Sequence, residues 1–371
     1  MNTLHVDLGE QWRGGQNQAL LLIEGLRSRG QGAELAALRG GLLAERCRAG
    51  GIPVHLVDHP GSRFHAARLL GKLLDGQPGY QIVHCHDAHG LTAAWVARAH
   101  KRAAVVASRR VAYPLSRNRW ALGRYRCARR IVAVSRFVAE SAIASGMPPE
   151  LVEVIYDGVE TPPRPSPEDR RRARRPWNLP AENAPLLGCV GYLLPEKNQA
   201  LLVRALPKVR ARYPDCHLLL AGDGPCRADL ERLARQTGVA DSVQFAGIVN
   251  DVAQVYAALD IFVFPSFAEP LGSSLLAAMG YGLPAVAVAG GAVPEIIRNE
   301  TNGLLIPDPD PEDFAGAVLR LLDDPALAGR LGDAARQTVE RQFSTDRMVE
   351  DTLDLYGRIC SGSPQPCNLS P

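Results

Sequence analysis

Long apolar runs are missing from this chain of 371 residues. None approaches the ~18 to 20 residues that a helix needs to cross a bilayer, which excludes a membrane-spanning helical protein. Paired cysteines are missing as well. The eight cysteines stand at 47, 85, 127, 189, 216, 226, 360 and 367, without the C-x-x-C spacing of zinc or thiol-redox sites, so they read as reduced structural residues. The first residues, Met1 to Leu4, carry no basic stretch followed by an apolar one, which predicts no secretory leader and a cytoplasmic address. The Asn368-Leu369-Ser370 sequon is accordingly read as chance.

What is present is a soluble composition, 46% hydrophobic and 22% charged, in a chain long enough for two cores. The net charge of +3 conceals a division. Residues 1–175 hold 27 Lys and Arg against 15 Asp and Glu, whereas residues 176–371 hold 15 against 24. Residues 98–130 alone hold eleven basic residues and no acidic one, a field that attracts anions.

Apolar runs of strand length alternate with segments of helical period: Leu4 to Leu8 before Gln16 to Ser28, Ile82 to Cys85 before Leu91 to His100, Ile131 to Val134 before Arg136 to Ala144. That alternation predicts parallel sheets covered by helices. A Pro-rich stretch after residue 160 and the basic run Arg170 to Arg175 interrupt it, and it restarts at Leu186 to Val190. The expected organisation is an N-terminal Rossmann-like domain at 1–160, a linker at 161–176, and a second Rossmann-like domain at 177–344. A helix at 345–360 and a disordered tail at 361–371 would complete it.

In open parallel sheets ligands bind beyond the carboxyl ends of the strands, which directs attention to the loops that follow them. Gly14-Gly15 opens the first helix and lets an anion or sugar approach free backbone N–H groups; a tight turn is the competing reading. His84-Cys85-His86-Asp87 ends a strand with both histidines on one side. A metal site is one reading, but no second ligand cluster follows, and a histidine bonded to a substrate hydroxyl serves equally well. In the second half, Phe264-Pro265 ends a buried strand, Glu269 stands in the loop, and Gly272-Ser273-Ser274 begins a helix. Such a start offers N–H groups to phosphate, and Glu269 offers acceptors to sugar hydroxyls. Lys197, after Pro195-Glu196, is the cation placed to hold a diphosphate.

Taken in order, these residues resemble the group 1 glycosyltransferases, the retaining family 4 enzymes of GT-B architecture. The resemblance also rests on Tyr156-Asp157-Gly158-Val159, Ala221-Gly222-Asp223-Gly224-Pro225, Asp260 to Ser266 and Gly290-Gly291 with Pro294-Glu295, and it covers about residues 1–358. It implies an α/β protein whose two Rossmann-like domains face each other across a cleft, the last helix returning to the first domain. Glu269, Lys197 and Arg109 would be the catalytic residues. Lys197, Ile248, Val249, Asn250, Glu269, Leu271, Gly272, Ser273 and Ser274 would bind the donor, and Gly14, Gly15, His86 and Arg110 would form an acceptor or phosphate loop. No metal and no cofactor is implied beyond a UDP- or GDP-linked sugar as co-substrate.

Three positions depart from the family pattern. Tyr192 stands where an arginine usually precedes the lysine by five residues, and Ala277 replaces the second glutamate, which normally meets the ribose. Ser108-Arg109-Arg110 occupies the place of a histidine. The implied reaction is sugar transfer with retention to a lipid-linked, lipopolysaccharide or polysaccharide acceptor. The expected partners are a nucleotide-sugar donor, a glycan or glycolipid acceptor and an anionic membrane surface, with no nucleic acid. A peripheral position at the inner face of the plasma membrane follows from Tyr113, Trp120 and Tyr125 among the arginines. The rival readings are a degenerate sugar-nucleotide or phosphoglycan-binding protein and a nucleotide-sugar epimerase.

Overall fold

The computed structural model describes residues 1–58, 63–76, 79–115, 119–177, 179–181 and 183–362, without the side chains of 119–121. The described chain divides into two compact units, Met1–Gly158 with the segment from Thr345 onward, and Val159–Ser344.

The first unit carries seven parallel strands: β1 (Asn2–Asp7), β2 (Gly32–Leu38), β3 (Val54–Val57), β4 (Ile82–Cys85), β5 (Ala104–Arg109), β6 (Arg130–Ala133) and β7 (Val152–Val154). Their order is β3-β2-β1-β4-β5-β6-β7. Strands such as Ile-Val-His-Cys are buried along their whole length, as a sheet covered on both faces requires. The final helix, Thr345–Ser361, belongs to this unit. Its Met348, Val349, Leu355 and Tyr356 join Leu22, Ile23 and Leu26 of the helix Gly14–Ser28 in one core. The two helices meet at Gly25, where a Cβ would come within 2.4 Å of Val349 Cγ2.

The second unit repeats the plan with six strands: β8 (Leu186–Val190), β9 (His217–Ala221), β10 (Val243–Gly247), β11 (Ile261–Phe264), β12 (Ala285–Val288) and β13 (Leu304–Ile306). They are ordered β10-β9-β8-β11-β12-β13. In both sheets the chain reverses its direction of growth beside the first strand, between β1 and β4 and between β8 and β11. At such a switch point the loops above the strand ends separate and leave a crevice.

The stretch expected to be a linker, 161–176, is folded into the second unit. Pro167–Arg174 is a helix whose Ser166 and Asp169 form a reciprocal cap with Pro at its first position. Buried Arg174 donates to the Ala258 carbonyl at 2.9 Å and to Asp260 at 3.1 Å. The proline that looked like a breaker is the residue type favoured at a helix start. Of the expected tail, residues 363–371 lie outside the described residues, and the last helix runs through Ser361.

Candidate active site

In the second unit the switch point brings together two loops. Pro195–Lys197 forms a single turn after β8, and Asn198, held at φ 51°, redirects the chain into the helix Gln199–Arg212. Residues 265–272 follow β11. Lys197 Nζ lies 2.5 Å from Glu269 Oε2, with the glutamate buried. A hydrogen bond to a charged group beneath a protein surface contributes about 1.5–3 kcal/mol, so the pair sets the conformation of both loops.

The backbone supports that pair. Phe267 N–H and the Ser266 hydroxyl donate to the Glu196 carbonyl, and Ala292 N–H donates to the Glu269 carbonyl at 2.9 Å. Gly290 and Gly291 lie directly against this loop. A Cβ on Gly290 would stand 2.4 Å from Phe267 Cα, and one on Gly291 would stand 2.2 Å from the Glu269 carbonyl oxygen. Gly272, at φ 104°, turns the chain into the helix Ser273–Gly280. Leu271 is buried and Ser273 is exposed, while Ser274 accepts a hydrogen bond from Tyr256 through its carbonyl. After β10, Ile248 and Asn250 are exposed, Val249 is half-buried, and Asp251 caps the helix Val252–Ala258. Tyr192 and Ala277 are both at least partly exposed.

In the first unit the β1–β4 register sets His5 opposite His84. Three histidines, His5, His84 and His86, are buried and packed ring against ring, with 4.4 Å between the centroids of His84 and His86. Arginine can only donate, so the 3.3 Å contact from Arg110 Nη1 makes His86 Nδ1 an acceptor and puts the proton of His86 on Nε2. That proton is donated to His5 Nδ1 at 2.9 Å; His5 Nε2 then donates to Thr3 Oγ1 at 3.1 Å, and Thr3 donates to the Gly32 carbonyl. The chain of bonds therefore has one polarity from Arg110 to β2. His84 bonds separately to Tyr356 and to Ser108.

Burial is the main cause that holds all three imidazoles neutral, bringing His5 down to about 3 and leaving His84 and His86 well below their usual value. The nearby charge of Arg110 lowers His84 and His86 further. The ring nitrogens lie close enough together to ligate one cation. Each already has a hydrogen-bond partner, so a cation would have to displace those bonds beside a guanidinium.

Arg110 is fixed from its other side by Asp157, with Nε 3.0 Å from both carboxylate oxygens, and its Cδ would lie 3.7 Å from a Cβ on Gly15. The glycine loop, His86 and Arg110 thus converge at the carboxyl end of β1 and β4. Asp7, at the end of β1, accepts from Gly9 N–H and from Gln16; burial, reinforced by Asp87, pushes its carboxyl up to about 6. Arg109 is turned elsewhere. It is buried, donates to the Tyr113 carbonyl and lies over the Tyr113 ring. Among the described residues the histidine cluster is joined by Arg110 and not by Arg109.

His5, Asp7, Asp157 and Tyr356 were not singled out as site residues from sequence. Only the neighbouring His84-x-His86 spacing and the 156–159 motif gave a signal near any of them. The basic segment 98–130 is divided by β5. Arg109 and Arg110 reach the site end, whereas Lys101, Arg102, Arg126 and Arg129 lie at the opposite end of the sheet. Tyr125, counted among aromatics for a membrane surface, is buried and is not available to one.

Two Rossmann-like units, each with a polar cluster at its switch point, define a protein of the GT-B class. The model of the glycosyl transferases group 1 family matches residues 169–338, and that of glycosyltransferase family 4 matches residues 12–162. Together they span most of the chain, which belongs to the group 1, family 4 glycosyltransferases.

Among individual relatives, the chain is 34% identical over 199 residues to the GDP-mannose-dependent monoacylated alpha-(1-6)-phosphatidylinositol monomannoside mannosyltransferase of Corynebacterium glutamicum, covering 51% of each protein. It is 34% identical over 182 residues to the lipopolysaccharide core biosynthesis glycosyltransferase LpsE of Rhizobium meliloti, covering 49% of this chain and 52% of that one. The matched region spans about half to just under two thirds of the length of such relatives. Among solved structures, Anabaena HepE in complex with UDP and glucose superposes with a TM-score of 0.80 at 22% identity, covering 96% of this chain and 99% of that one, a likeness of fold.

Proposed function

We propose that this chain is a glycosyltransferase that takes a sugar from a nucleotide-sugar donor and transfers it, with retention and without a metal ion, to a lipid-linked, lipopolysaccharide or polysaccharide acceptor. The observation that carries the reading is the Lys197–Glu269 pair at the β8–β11 switch point, 2.5 Å apart beside the helix start at Gly272. An entering diphosphate competes with Glu269 for the ammonium of Lys197. Once Lys197 bonds to phosphate, the carboxylate is released to accept hydrogen bonds from sugar hydroxyls, while N–H groups at Gly272 to Ser274 face the phosphate.

As the glycosidic bond breaks, charge develops on the leaving diphosphate, and the same lysine and N–H groups stabilise it. The leaving phosphate oxygen would take the proton of the acceptor hydroxyl on the face it has vacated, which accounts for retention. Gly14, Gly15, His86 and Arg110 of the first unit would hold the acceptor. A UDP- or GDP-linked donor is supported by what the relatives and the solved neighbour bind, and an envelope glycan acceptor by the lipopolysaccharide and phosphatidylinositol mannoside relatives. The implied workplace is the cytoplasm, at the inner face of the plasma membrane.

The reading is tested by calorimetric titration of UDP, GDP, ADP and CMP against the wild type, Lys197→Ala and Glu269→Ala. One nucleotide binds the wild type, and Lys197→Ala weakens it by roughly 10- to 150-fold, the equivalent of about 1.5–3 kcal/mol. Failure of every nucleotide to bind at millimolar concentration refutes the donor site.

Ala277 favours a second reading, a binding protein that has lost turnover, because the usual ribose partner is absent there. Ala277→Glu distinguishes the two. A transferase with a weakened donor site gains nucleotide affinity and sugar release, whereas a protein that binds without turnover gains affinity alone.

A further inference from the structure

The first unit has a second polar recess at the end of its sheet remote from the glycine loop. It is a groove of about 770 Å³ formed where the chain enters β4, β5, β6 and β7, at Gln81, Ala103, Arg129 and Leu151, and closed by Ile359 and Cys360 of the last helix. His100, Lys101, Arg102, Arg126 and Arg129 line it, and no carboxylate lies among its described lining residues. Arg102 is partly neutralised by Asp75, 2.8 Å from its Nε on the rim. Beside the groove, burial and the charges of Arg129 and Arg358 lower the pKa of Arg130, against the opposing pull of Glu153. Exposed side chains from two separate segments, 100–102 and 126–129, thus hold like charges together around a concavity, an arrangement whose self-repulsion an anion relieves. Its volume lies in the range of small-molecule sites.

We propose that this groove binds a soluble anion bearing two or more phosphate groups, at a site separate from both switch points. Position decides against a bilayer as the occupant. β5 runs from Ala104 at the groove to Arg109 at the site end, six residues, or about 20 Å of extended chain. A membrane seated on the groove would therefore leave the acceptor loop at the far end of the sheet. Of the two tyrosines that could have anchored such a contact, Tyr125 is buried, and the exposed Tyr113 follows the site end of β5. The proposal stands independently of the donor reading, since no residue of the β8–β11 switch point takes part.

Inorganic tripolyphosphate is the probe, titrated by calorimetry at low ionic strength into the full chain carrying Lys197→Ala, which removes the cation of the proposed donor site. Binding is expected at submillimolar concentration, weakened at least 10-fold by Arg126→Glu with Arg129→Glu and suppressed in 0.5 M salt, where charges separated by more than a few ångströms are screened. Arg126→Gln with Arg129→Gln, which preserves the side-chain stems, is expected to shift affinity in the same direction and guards against a folding defect in the charge reversal. Absence of binding, or binding that both arginine pairs leave unchanged, overturns the proposal. So does the converse pattern in a sedimentation assay, with phosphatidylglycerol vesicles captured through Arg126 and Arg129 while tripolyphosphate is ignored.

Discussion

Tyr356, on the last helix, shares a 2.5 Å hydrogen bond with His84 Nδ1, joining two residues 272 positions apart in a site fully removed from water. The other ring nitrogen of His84 meets Ser108 at 2.8 Å, so the helix is bonded through the imidazole to β5. The carboxyl-terminal segment is therefore part of the floor beneath the glycine loop as well as a cover for its outer helix.

Replacing Tyr356 with Phe leaves the core volume nearly unchanged but strips a buried imidazole nitrogen of its partner. An orphaned buried polar group costs about 1–3 kcal/mol. Thermal melts at pH 7.5 are expected to show that loss for Tyr356→Phe, and an unchanged midpoint would mean that a water replaces the hydroxyl.

The three buried histidines make the first unit sensitive to acid. Their folded pKa values lie below the ordinary 6.5. Their contribution is therefore complete above pH 6.5 and is lost as pH falls below it, when the unfolded chain takes up protons that the fold refuses. Each histidine that the fold holds neutral adds to that dependence. Stability measured by urea titration should fall steeply between pH 6.5 and pH 4.5, and His5→Gln should flatten the slope by about one proton.

Asp7 acts with the opposite sign. Its folded pKa of about 6 exceeds the ordinary 3.8, chiefly through burial. The contribution of its protonated form is present below about pH 3.8 and is lost as pH rises through 6. A shift of this size corresponds to about 3 kcal/mol at most. Asn keeps an acceptor for Gly9 N–H and carries no charge. Asp7→Asn should therefore be more stable than the wild type at pH 7.5, by on the order of 1–3 kcal/mol, with the difference closing toward pH 4; a difference independent of pH would show that Asp7 is ionised without penalty.

Gly291 supports Glu269 by lying directly against its backbone. Its φ of 57° already disfavours a side chain, and an added Cβ would approach the Glu269 carbonyl oxygen to 2.2 Å. Gly291→Ala should destabilise the second unit by about 1–3 kcal/mol. It should also weaken nucleotide binding with Lys197 intact. Calorimetry showing wild-type affinity would mean that the glutamate loop does not need this contact.

Much of the protein is legible in the order of its residues. The alternation of apolar strands with helix-period segments predicts two α/β units, because parallel strands covered on both faces read as continuous runs such as Leu218 to Ala221. Lys197, Glu269 and the Gly272 helix start are visible from sequence, because each follows a strand in the position where open sheets bind ligands. The helix at Pro167–Arg174 was hidden by the prolines that lead into it and by its own arginines, although the Ser166 and Asp169 cap was available to find it.

Sequence could not supply the partners of these residues, because they are set by strand order and register. The β1–β4 pairing places His5 opposite His84, and Arg110, bonded to Asp157, is the neighbour that meets His86 while Arg109 turns to Tyr113. The same sheet sends one end of the basic segment to the glycine loop and the other to a groove at the opposite end, since a strand carries residues five apart to opposite ends of a sheet. Residue types and their spacing determined the two-unit fold and the polar loops after β8 and β11; long-range pairing alone decided which charges share a site.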